Sequence, residues 1–185
     1  MASVNICEVV EQACERAQGL IEAGAPRDEI FSRLVEAAER AGALRAVSSI
    51  LVLDEHGLLR NGHSPGLPKD YLEAIDRLKP DPLVGTCAAA AATASVVVTP
   101  DFLADNKWAE LKHLPRSLGY VGAWSMPIRS PRNGAVLGTF GTYYRDRREP
   151  TPDEVKAIGR LAAVAALALE RDAAGEAVAT SPKCG

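Results

Sequence analysis

Apolar positions recur at helical spacing at both ends of the chain and alternate at strand spacing between them. Over residues 4–22, Cys7, Val10, Cys14, Ala17 and Ile21 follow a 3-4-3-4 spacing that puts all five on one helical stripe. The stripe resembles a coiled-coil seam of about two heptads. It suits equally a helix packed on its own domain or one packed on a second copy. Gly19 and Gly24 break the run. Pro26 fits the first position of a second helix, and Asp28 and Glu29 complement its dipole. That helix reaches about Ala41, burying Ile30, Leu34, Ala38 and Ala41 with Phe31 and Val35 beside them, and Gly42 ends it.

The period then shortens. Residues 47–53 are β-branched and apolar, Asp54-Glu55-His56-Gly57 reads as a turn, and residues 58–63 read as the returning strand of a hairpin. A Pro-Gly loop over 64–68 leads to a short helix over 69–78, which Pro80 and Pro82 break. Thr86 is a plausible N-cap for the alanine run 87–92. A strand follows over 94–99, then a helix over 105–118 that Pro115 interrupts. Strands over 121–129 and 135–144 flank an Asn133-Gly134 hairpin turn. Thr151-Pro152-Asp153-Glu154 has the capping-box spacing of a final helix, whose apolar face extends to Glu170-Arg171. Strands joined by hairpins, with helices at both chain ends, predict an α+β fold with one antiparallel sheet. The expected organisation is an N-terminal helical extension over 1–24, a domain over 25–173 and a flexible C-terminal tail over 174–185.

Composition narrows the function. An apolar fraction of 47% and a charged fraction of 24% are those of an ordinary globular domain. The net charge of −3 leaves no basic surplus for a phosphate backbone, so no direct nucleic-acid partner is expected. No apolar run approaches a membrane span, and Met1-Ala2-Ser3-Val4-Asn5 lacks the features of a signal peptide. The expected location is cytoplasmic, with Cys7, Cys14, Cys87 and Cys184 as reduced thiols. These four form no CxxC or other short metal-ligand pair, so no metal site is expected.

Several stretches resemble the GAF domain family. They are Val84-Gly85-Thr86-Cys87, Trp108, the run Gly119-Tyr120-Val121-Gly122-Ala123-Trp124-Ser125-Met126-Pro127-Ile128, and Gly134-Ala135-Val136-Leu137-Gly138-Thr139-Phe140-Gly141-Thr142-Tyr143-Tyr144-Arg145. Members of this kind typically read G-S-C-G, then W-S-x-P-I, then G-x-V-L-G-T-F-x-x-Y-Y-R. Ala88 stands here where the usual Gly follows the Cys. The resemblance implies a GAF/PAS-like sheet with the terminal helices on one face, pairing in homodimers, and a ligand pocket on the other. It also implies a sensory or regulatory role beside a kinase, cyclase or transcription factor.

The candidate ligand-binding residues are Leu59, Cys87, Ala88, Ala89, Trp108, His113, Trp124 and Met126. A helix beginning at Cys87-Ala88-Ala89 offers free N–H donors and a partial positive charge, suited to a small molecule and to an anion in particular. Some GAF proteins that this chain resembles bind nitrate in that way. Trp124 and Met126 share one sheet face, serving either pocket or core, and Trp108 could close a pocket as a lid. His63 and His113 have no partner residues that define a ligand set. No catalytic constellation emerges, so no enzyme activity is expected. The GAF-fold free methionine sulfoxide reductases, a third reading, need further cysteines, and none lies between Thr93 and Tyr120. Bilin-binding members carry His after the Cys, where Ala88 stands here. The asparagine-lysine-phenylalanine-aspartate-glutamate motif of cyclic-nucleotide-binding members is absent. No haem or iron–sulfur ligand set is recognisable, so the identity of any cofactor is left open. Two principal readings remain, a small-molecule receptor and a dimerisation or scaffolding module without a ligand.

Overall fold

The structure, a computed structural model, describes residues 5–41 and 46–180. The chain start Met1–Val4, the helix-ending Gly42 and Cys184 lie outside the described residues.

Five antiparallel strands form one sheet: β1 (Ala46–Leu53), β2 (Leu59–His63), β3 (Val97–Thr99), β4 (Gly122–Arg129) and β5 (Val136–Tyr144), in the order β2-β1-β5-β4-β3. Both expected hairpins are present. In the first turn the Asp54 carboxylate accepts from the His56 and Leu58 amides at 2.9 and 3.0 Å, and Gly57 takes φ +72°. In the second the Ser130 amide donates to the Ala135 carbonyl at 2.8 Å, with Gly134 at φ +74°.

One sheet face carries α1 (Ile6–Glu22), α2 (Arg27–Ala41) and α6 (Pro152–Thr180). Ile30, Phe31, Leu34, Leu161 and Ala165 pack there against Ile50, Trp124, Phe140 and Tyr144. Val10, Cys14 and Ala17 of the heptad stripe belong to this same core, while Cys7 is exposed. The stripe therefore packs on its own domain. The capping box closes as expected: the Glu154 carboxylate accepts from the Thr151 amide at 2.8 Å, and the Glu154 amide donates to the Thr151 hydroxyl at 3.2 Å.

Several boundaries differ from expectation. Helix α6 does not end near Arg171 but continues to Thr180, into the segment read as a tail, because Ala173, Ala174 and the alanines beyond favour helix. Helix α3 (Lys69–Ala74) stops early, because the Arg77 amide and the Leu78 carbonyl are both bonded to Leu59, at 2.9 Å each. Ala94 adopts a left-handed φ of +51° that ends α4 (Thr86–Thr93), so β3 begins only at Val97. Residues 105–118 form a 3₁₀ turn, Asn106–Trp108, and the short α5 (His113–Ser117). Pro115 sits in the first turn of α5, where a missing N–H costs no helical bond.

Candidate functional site

The face opposite the terminal helices is covered by α3, α4 and the segment between β3 and β4. Across the sheet, Ser49 of β1, Gly141 of β5 and Ser125 of β4 are direct neighbours on this face. They form a belt of small residues on which α4 rests. A Cβ at Gly141 would lie 2.8 Å from Ser49 Oγ and 3.1 Å from Cys87 Sγ, so the missing side chain is what lets α4 approach. Ser125 Oγ donates to Thr86 Oγ1 at 2.9 Å and lies 3.1 Å from Cys87 Sγ, which makes the thiol the donor of the latter pair. Burial pushes the Cys87 thiol up, and the hydroxyls of Ser125, Thr139 and Thr86 offset this only in part. Cys87 is therefore a neutral S–H donor, not a thiolate.

Gly85 is the N-cap of α4, with φ +54° and no side chain to satisfy the first-turn amides. This corrects the reading of Thr86 as the cap. Thr86 lies within the helix, and its hydroxyl is committed to Ser125. The uncapped end of α4 faces a small cavity walled by Gly85, Thr86, Cys87 and Ala88, by Leu51 and Tyr143 of the sheet, and by Tyr71, Ile75 and Leu78. Val84, Trp108, Leu111 and Leu114 complete it. Its free volume is about 20 Å³, against the roughly 10–15 Å³ that one water needs on the same measure.

No charged side chain lines this cavity among the described residues. Among its lining residues, hydrogen-bond donors are in surplus. Trp108 is 4% exposed, and its Nε1 has no acceptor among the described residues. The Tyr71 and Tyr143 hydroxyls bond each other at 3.1 Å, which uses one of the two phenol protons and leaves the other free. Burial holds both phenols protonated. An apolar chamber with unspent N–H and O–H groups at a bare helix N-terminus is chemically matched to an acceptor atom.

Of the sequence candidates, Cys87, Ala88 and Trp108 line the cavity. Ala89 is buried on α4 but turned away from it. Leu59 packs one layer behind, because its backbone pairs with Leu78, and Leu78 takes the wall position. His113 is exposed on α5, whose next residue, Leu114, forms the wall instead. Trp124 and Met126 face the opposite side of the sheet. Trp124 lies in the helix-side core, and a Cβ at Gly159 of α6 would sit 3.6 Å from Met126 Cε. Sequence reasoning missed Tyr71, Leu111, Leu114 and Tyr143. Tyr143 alone had a signal, since it lies two positions from Gly141 on the same strand face.

Comparison with known proteins places this fold in a family. The GAF domain family matches residues 24–170, and the chain belongs to that family. The methyl sulfide methyltransferase-associated sensor of Methanosarcina acetivorans is 32% identical over 164 residues, which is 87% of this chain but 16% of that protein. The chain thus corresponds to a small part of that relative. Among solved structures, a domain of a two-component sensor histidine kinase protein from Sinorhizobium meliloti matches with a TM-score of 0.67 at 21% identity, covering 83% of this chain and 96% of that one. The GAF domain of a phosphoenolpyruvate-protein phosphotransferase from Coxiella burnetii gives 0.71 at 17%, covering 96% and 98%. The free methionine-R-sulfoxide reductase of Neisseria meningitidis gives 0.69 at 15%, covering 95% and 96%. At these identities the likeness is one of fold.

Proposed function

We propose that this chain is a non-catalytic sensory domain whose ligand is a small molecule presenting an acceptor atom, an anion being the simplest case, to α4 and Trp108. The observation that carries this reading is the buried Trp108 indole N–H, without an acceptor among the described residues, beside the uncapped α4. A buried donor left unpaired costs roughly 1–3 kcal/mol, which a bound acceptor would recover. The protonated, buried Cys87 supports a role without thiolate chemistry. The signal would leave through α1, α2 and α6, to a second copy of the chain or to a partner such as a kinase, cyclase or transcription factor. The sensor name of the Methanosarcina relative agrees with this. A cytoplasmic location fits the finding that no described helix is long and apolar enough to cross a membrane.

A second reading has its own observation. The cavity has room for little more than one water, which favours a dimerisation or scaffolding module without a ligand. A native mass spectrum of the freshly purified protein, followed by titration with nitrate as an acceptor probe, separates the two. A mass in excess of the chain, or a nitrate-dependent shift in thermal stability, supports the receptor. A bare chain whose stability does not respond to nitrate supports the scaffold.

A further inference from the structure

We propose that the segment joining β3 to β4, residues 100–121, is a gate over the cavity, and that Asp105 is its latch. The inference rests on the cavity being a ligand site, since a volume of about 20 Å³ must enlarge before anything larger than water can enter. The sheet wall and α4 cannot supply that movement. Gly141 and the hydroxyls of Ser125 and Thr86 lock them together without slack. Trp108, Leu111 and Leu114, by contrast, all belong to the joining segment, whose regular structure is one 3₁₀ turn and one five-residue helix. Helical turns of that length do not hold themselves.

The segment is held by apolar packing of Phe102, Trp108 and Tyr120, by the Arg145 guanidinium bonded to the Leu118 carbonyl at 2.8 Å, and by a set of polar ties that converge on one carboxylate. Thr99 Oγ1, at the end of β3, donates to Asp105 Oδ2 at 2.6 Å. The Lys107 ammonium donates to the same oxygen at 2.7 Å, and the Lys107 amide donates to Oδ1 at 3.0 Å. Asp105 thus fastens the turn carrying Trp108 to the sheet and caps that turn as well. Burial works against ionisation of Asp105, but the bonds from Lys107 and Thr99 outweigh it and keep the group charged. From the other side of the cavity, the Gly85 amide donates to the Lys107 carbonyl at 2.8 Å, across the mouth of α4. Opening the gate breaks this bond and frees Gly85 N–H at the proposed ligand site. The latch and the site therefore share Lys107.

The test is amide exchange of the full chain, read residue by residue by NMR, in the wild type and in Asp105→Ala, Asp105→Asn and Thr99→Val. The reporters are the Gly85 amide and the Lys112 amide, which donates to Trp108 O at 2.7 Å, since neither is bonded to Asp105 itself. We expect both to exchange at least about tenfold faster in Asp105→Ala, which removes all three hydrogen bonds to the carboxylate. Asp105→Asn and Thr99→Val should give smaller changes in the same direction, while β5 amides keep their wild-type rates. Unchanged Gly85 and Lys112 rates in all three variants would overturn the proposal. So would protection lost equally from β5 and α6, which would make Asp105 a residue of global stability. These amides report opening with or without a bound molecule, so a bare native mass spectrum would count against the receptor while leaving the gate standing.

Discussion

Trp124 Nε1 donates to the Tyr144 hydroxyl at 2.8 Å, on the sheet face opposite the cavity. Both side chains are about 1% exposed, and they link neighbouring strands β4 and β5 beneath the terminal helices. The Arg148 guanidinium lies 3.7 Å from the Tyr144 ring centroid and pairs through both its terminal nitrogens with Glu154, at 2.7 and 2.9 Å. A chain of side-chain contacts thus runs from the middle of β4 to the first turn of α6.

This arrangement makes Trp124 a core residue. Trp124→Phe should lower the free energy of unfolding by about 2–3 kcal/mol, from the lost ring volume and the orphaned Tyr144 hydroxyl. Urea denaturation measures it. Any response of the wild type to nitrate should survive in the variant, because Trp124 does not touch the cavity.

The two faces of β4 show how much the sequence could tell. Alternation correctly put Trp124 and Met126 together and Ala123 and Ser125 opposite, but it could not say which set faced the ligand. The physical reason lies outside the strand. α4 needs a shallow surface to come close, and Ser49, Gly141 and Ser125 form one only when three strands are brought into register. The terminal helices, both hairpins and the capping box were legible because their signals are local. The cavity walls at Tyr71, Leu111 and Leu114 were not, since short irregular segments carry no period. Cys87 and Ala88 were found from the helix start that the alanine run predicts, and Trp108 as a lid residue within the family pattern.

Cys87 gives a direct chemical prediction. Because burial raises its pKa and leaves it a thiol, it should react slowly with iodoacetamide near neutral pH, while the exposed Cys7 is alkylated readily. Peptide mapping over time should place the label on Cys7 first and reach Cys87 only under denaturing conditions. Rapid labelling of Cys87 in the native protein would mean an accessible thiolate and would reopen the question of redox catalysis.

Glu154 predicts a pH dependence. Burial alone would raise its pKa, but the Arg148 pair and the Thr151 amide outweigh that and hold it below the ordinary 4.5. With the folded value depressed, the stabilisation is fully present above the ordinary value and is lost as the pH falls through the folded one. Unfolding free energy should therefore decline from about pH 5 downward. Glu154→Gln should be less stable at pH 7, by about 1–2 kcal/mol, and should show a shallower decline in acid. Equal slopes for the two proteins would mean that the pair carries no linkage.

Gly141 predicts a steric limit. Gly141→Ala would push a methyl group against Ser49 Oγ and Cys87 Sγ, with backbone and α4 holding both in place. Overpacking of this kind should cost about 1–3 kcal/mol, read as a lower midpoint of thermal unfolding. The double variant Gly141→Ala with Ser49→Ala should recover part of the loss, because it removes the nearer of the two atoms. No recovery would mean that the belt does not set the height of α4.

Trp108 separates a packing residue from a ligand donor. Its ring lies 4.3 Å from that of Phe102, centroid to centroid, and fills the gate side of the cavity, a role Phe could largely keep. Its indole N–H has no acceptor among the described residues, so Trp108→Phe removes an unsatisfied donor while leaving a small void. The two effects oppose each other, and the variant should stay within about 1 kcal/mol of the wild type, far less than the usual cost of trimming a buried aromatic. If an acceptor binds there, its affinity should fall about tenfold or more with the donor gone. Stability retained with the nitrate response lost would assign the N–H to the ligand. A loss of several kcal/mol with the nitrate response intact would assign Trp108 to packing and move the binding site elsewhere.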